Sequence, residues 1–220
     1  MLLLGALLFT GVFSTTSIIC RAQSRIAFRP DSPLAKFFTG RLRALLRALV
    51  FTAIATPVLA WQALRLDTYV VAGLLALCFV SSLLSLWIEA RAKPHLAAGF
   101  DRAAAVKLAG VLPLILFIPL LGWLNWTYVS IPVAMLTAPL AEATLIVLAE
   151  LPPRAGWLNE VLAFFFAVDA AKLWLTFKLG ETGWAPIFYS LDAALVAIIV
   201  AHASARLTSL VKPFTQRPQA

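Results

Sequence analysis

The chain has 220 residues, of which 62% are hydrophobic and 13% charged. Soluble domains are nearer about 45–50% apolar and about 25% charged, so no soluble fold of this length could hide so much apolar surface. That leaves an all-α polytopic integral membrane protein. The net charge of +8 does not point to nucleic acid, because the basic residues gather in a few connectors between apolar stretches, as membrane topology requires.

Seven spans are predicted within one transmembrane domain covering residues 1–220: 2–20, 44–64, 68–90, 108–126, 128–149, 157–178 and 184–206. The first could be a signal peptide, but it has no basic n-region and no A-x-A-like cleavage site, so a retained helix is preferred. Without it, six spans remain. The connector 21–43 carries Arg21, Arg25, Arg29, Lys36, Arg41 and Arg43 against one acid, Asp31. These residues orient the chain and are candidates for contact with lipid headgroups or a partner.

Span two contains Pro57, span four Pro113 and Pro119, and span five Pro132 and Pro139. Each proline removes an intrahelical hydrogen bond and favours a kink. Placing the N-terminus outside and the C-terminus in the cytoplasm puts 15 of the 18 basic residues on the cytoplasmic side. Arg65 and Lys178 then lie outside, and Lys172 lies within the membrane. The seven tryptophans fall near helix ends, where aromatic belts form. The predicted location is a bacterial inner membrane.

Small residues every fourth position mark close helix contacts in lipid. Span seven has Ala193, Ala197, Ala201 and Ala205, and span six has Ala163, Ala167 and Ala171. Span five has Ala134 and Ala138, with Glu142 next on the stripe. Spans five to seven are thus expected to bundle. Glu142 should face protein, and Asp169 should point away from its own alanine face.

Span six carries Asp169 and Lys172 near its middle, and span seven carries Asp192. A charge at the centre of a spanning helix costs about 2.5–3.5 kcal/mol on insertion scales. Residues three apart share a helix face, so Asp169 and Lys172 can pair. With Asp192, and with Glu142 as a further member, they are the candidate ion or substrate pathway. The alternative is a structural ion pair that sets helix register.

No catalytic signature is present: there is no G-x-S-x-G, H-E-x-x-H, C-x-x-C or P-loop sequence. No catalytic or metal-binding residue is assigned. No cofactor is predicted, since His95 and His202 do not offer the facing pair that a bis-histidine haem needs. Membrane lipids, further copies of the chain or other membrane subunits are the expected partners. The leading reading is a small transporter or channel subunit for an ion, proton or small cationic solute. A non-catalytic scaffold or accessory subunit comes second, and an intramembrane lipid-modifying enzyme third.

Overall fold

In a computed structural model the chain is all-helical, with no strand among the described residues. These are residues 2–27, 41–64, 68–96, 100–128, 133–135, 137–149, 151, 156–178 and 185–215. Eight α-helices follow in order: α1 (Leu2–Ala27), α2 (Arg41–Leu64), α3 (Thr68–Ala92), α4 (Phe100–Ala109), α5 (Leu114–Thr127), α6 (Leu140–Leu148), α7 (Trp157–Lys178) and α8 (Ala185–Thr215). A 3-10 turn, Val133–Met135, precedes α6.

Among the described residues, five stretches are long and apolar enough to cross a membrane: Leu3–Cys20, Leu42–Leu64, Thr68–Ala92, Phe100–Thr127 and Tyr189–Val211. The expected count of seven is therefore not reached on length and composition. At 22 residues, α7 would span about 33 Å at about 1.5 Å per residue. It falls outside the five because Glu160, Asp169, Lys172 and Lys178 lie along it.

The predicted span 128–149 is not one helix. Among its described residues the one α-helix, α6, has nine residues and covers about 13.5 Å of a hydrocarbon core about 30 Å thick. The residue before a proline avoids the helical region, so Pro139 keeps Ala138 out of the helix, and α6 starts at Leu140.

Prolines elsewhere act locally. α2 continues through Pro57 and α5 through Pro119. The fourth span begins at Phe100, eight residues before the predicted start, and is interrupted at Gly110–Pro113. Pro113 has no N–H to donate. The chain there is held partly by three-residue hydrogen bonds, Val111 N–H to the Leu108 carbonyl and Leu114 N–H to the Val111 carbonyl, both 3.0 Å.

The contacts divide the chain into two compact units. The first comprises Met1–Thr56, Leu74–Leu116 and Ala197–Ala220. Here α1 packs on α4, and Val106, Ala109 and Ala205 form a small buried cluster with Leu84 against it. Gly110 lets the chain pass the His202 imidazole: a Cβ there would overlap the ring at Nδ1. Thr15 and Ser209 share a buried hydrogen bond of 2.9 Å.

The second unit comprises Pro57–Gly73 and Phe117–Val196. Here α6 packs on α7. Trp61, three residues before the end of α2, is buried and stacks on Phe165 at 5.7 Å. By contrast Trp87, Trp123 and Trp157 are exposed.

Candidate functional site

The buried face of α7 runs through Leu162, Phe166, Asp169, Ala170, Leu173 and Thr176, the three-to-four spacing of one helix stripe. Asp169 thus lies in the middle of an otherwise apolar face. The alanine ladder Ala163, Ala167 and Ala171 is only half-buried, so this face, not the ladder, is the one turned inward. The ladder on α8 behaves as expected: Ala193, Ala197, Ala201 and Ala205 are all buried.

Lys172 lies one turn beyond Asp169, with its Nζ 2.7 Å from Asp169 Oδ1. The same ammonium donates to Oδ2 of Asp192 on α8. It also sits 4.7 Å from the ring centroid of Tyr189, which precedes Asp192 by one turn. One cation therefore meets two carboxylates and an aromatic face. The attraction to a ring is electrostatic and strengthens when water is excluded.

Exposure rises along the group. The Asp169 side chain is 0% exposed, Lys172 13% and Asp192 24%. Asp169 is thus the enclosed end and Asp192 the open end.

Tyr189 is buried and meets Trp126 edge-to-face at 5.5 Å. Gly122 allows the close approach of α5 to the start of α8: a Cβ there would come within 3.1 Å of Ser190 Cα. The aromatic wall beside Lys172 is therefore fixed by backbone packing.

The structure brings Asp169, Lys172 and Asp192 together but does not add Glu142 to them. Glu142 is exposed in the first turn of α6 and makes no ion pair among the described residues. Its position on an alanine stripe had suggested a protein-facing side chain. The broken helix removes the phase on which that expectation rested, since Ala134 belongs to the 3-10 turn and not to α6.

Of the candidate headgroup contacts, Arg43 is exposed near the start of α2, and Arg21, Arg25 and Arg41 lie in the terminal turns of α1 and α2. Arg29 and Lys36 lie outside the described residues. Tyr189 and Trp126 were not singled out from the sequence. The only available signal for Tyr189 was its place three residues before an intramembrane acid.

The group carries a net charge of −1 when all three members are ionised. Two acids compete for one ammonium, so one proton or one monovalent cation would neutralise the set. Comparison with family models, with curated proteins and with solved structures finds no match for this chain. Five apolar stretches of spanning length among the described residues make the chain membrane-embedded in character, and Asp169, Lys172 and Asp192 form a partly buried charge network between two of its helices.

Proposed function

We propose that the chain is a small multi-pass transporter or channel subunit that passes a proton or small cation by way of Asp169, Lys172 and Asp192. The carrying observation is that Lys172 is shared between two carboxylates on different helices, with exposure increasing from Asp169 to Asp192. Ionisable groups inside a membrane are costly and commonly mark ion paths. A proton or cation arriving at Asp192 would compete for the carboxylate that holds the ammonium, and would leave Lys172 bound to Asp169 alone. The positive-inside distribution supports an N-terminus outside and a C-terminus in the cytoplasm.

The test is reconstitution into liposomes carrying a pH-sensitive dye and an imposed proton or cation gradient. Wild-type protein should dissipate the gradient, and both Asp192→Asn and Asp169→Asn should abolish the flux while still folding. Equal flux in all three would reject the pathway.

The scaffold reading is favoured by one observation: Asp169 is fully enclosed, and the Lys172 charge is already met by both acids. Such a closed pair serves register as well as transport. On that reading liposomes show no flux, and the chain co-purifies with other membrane subunits.

A further inference from the structure

A second concentration of charge lies in the first unit and plays no part in the proposed pathway. Arg206 on α8 is half-buried, and its guanidinium carbon lies 4.8 Å from the ring centroid of Phe51 on α2. Its Nη1 is buried and has no hydrogen-bond partner among the described residues. Arg47, one turn before Phe51, is close enough for its charge to act on Arg206. No ion pair joins Arg206 or Arg47 to an acid among the described residues. Arg47 shares the face of α2 that carries Phe51, being four residues away, so a second positive charge lies beside a guanidinium with one enclosed donor that lacks an acceptor, an arrangement that a bound anion would compensate.

Depth narrows the choice of anion. Arg47 lies towards the N-terminal end of the apolar stretch Leu42–Leu64, and Arg206 towards the C-terminal end of Tyr189–Val211. Long basic side chains near the ends of spanning helices reach the boundary between headgroups and acyl chains. Guanidinium groups match phosphate oxygens with two parallel N–H donors. The Phe51 ring lies against the Arg206 guanidinium and Nη1 is enclosed, so the N–H groups on Nη2 and Nε are the ones left to meet a ligand.

We propose that Arg206 and Arg47, backed by Phe51, form a binding site for the phosphate of an anionic lipid headgroup. A lipid delivers its phosphate at this depth already anchored. A soluble phosphate would have to leave water to reach it. The site differs from the connector arginines, which meet headgroups as a diffuse surface charge: the half-buried Arg206 is held against Phe51 on a second helix, with the exposed Arg47 one turn away from that ring.

The test uses the full-length protein in detergent, titrated separately with short-chain phosphatidylglycerol, short-chain phosphatidylcholine and inorganic phosphate. Native mass spectrometry reads the one-to-one lipid adduct, and thermal unfolding reads stabilisation. Phosphatidylglycerol should bind and stabilise the wild type, and phosphatidylcholine should not. Arg206→Gln and Arg47→Gln should each weaken phosphatidylglycerol binding about tenfold, whereas Lys93→Gln, an equal charge loss on the exposed turn after α3, should leave it unchanged.

If Arg206→Gln does not fold, Arg206→Lys and Phe51→Leu replace it. The first keeps the charge but loses the fork, the second loses the aromatic backing, and both should weaken the adduct. Wild-type binding in all the arginine and Phe51 variants would overturn the site. An equal loss in Lys93→Gln would reduce it to general surface charge. Stabilisation by inorganic phosphate that matches the lipid and disappears in Arg206→Gln would overturn the lipid as the source of the phosphate.

Discussion

The Trp174 indole donates its Nε1–H to the backbone carbonyl of Ala138 at 3.1 Å, and so ties α7 to the irregular segment just before α6. Position in the sequence assigned Trp174 to an interfacial belt. In the structure it is half-buried and satisfies a carbonyl that no helix can serve. Replacing it with Phe keeps most of the apolar bulk and removes the donor. Trp174→Phe should lower stability by about 1–2 kcal/mol. Amide exchange should rise in 137–149 and not in α3. Unchanged exchange there would show that the bond does not hold the segment.

Removing Lys172 leaves two carboxylates, one of them fully enclosed. Breaking one partner of a buried ion pair costs about 3–5 kcal/mol, more than the intact pair contributes. Lys172→Met should therefore destabilise strongly in detergent. The double variant Lys172→Met with Asp169→Asn should recover much of the loss, because it removes the uncompensated charge. Equal thermal stability of the single and double variants would mean that Asp169 does not depend on Lys172.

Two glycines give contrasting expectations. At Gly122 a Cβ would meet Ser190 Oγ at 2.7 Å and the Ser190 Cα at 3.1 Å. Side-chain rotation relieves the first contact but not the second. At Gly11 the nearest atom is Leu207 Cδ2 at 3.1 Å, the end of a flexible side chain. Gly122→Ala should cost about 1–3 kcal/mol and Gly11→Ala less. Paired thermal unfolding measurements check the order.

Orientation can be read chemically. Lys93 is exposed in the turn after α3, within a connector assigned to the cytoplasm. In a Cys20→Ala, Cys78→Ala background, Lys93→Cys should react with a membrane-impermeant maleimide in inside-out vesicles and not in right-side-out cells. The opposite pattern would reverse the topology.

Much of the charge network was legible in the sequence. The Asp169–Lys172 contact follows from three-residue spacing on one helix, and Asp192 follows from its similar depth in the next long apolar segment. The alanine ladder of α8 also announced its buried face, because a period near 3.6 survives along an unbroken helix. The phase of the site did not follow from α7. Its half-buried ladder resembled a packing face, while Asp169 occupied the true one beside Phe166 and Leu173. Composition alone could not divide 128–149, because its prolines invite either a kink or a break; the structure has the break, with Pro139 ahead of α6 and the Ala138 carbonyl held by Trp174. Glu142 was misplaced for the same reason. The Arg206–Phe51 contact joins residues distant in sequence, and no local spacing encodes it.

The hydrogen bond between Thr15 and Ser209 sets a schedule for biogenesis. Ser209 Oγ donates to the Arg206 carbonyl at 2.8 Å, so the Thr15 hydroxyl is left to act as donor to Ser209. The two residues are 194 positions apart, and translation adds about 5–20 residues per second. After Thr15 is made, α1 therefore waits about 10–40 s for its partner. During that interval the Thr15 hydroxyl lacks its native partner, and helix-by-helix insertion cannot complete the first unit until Ser209 has been made.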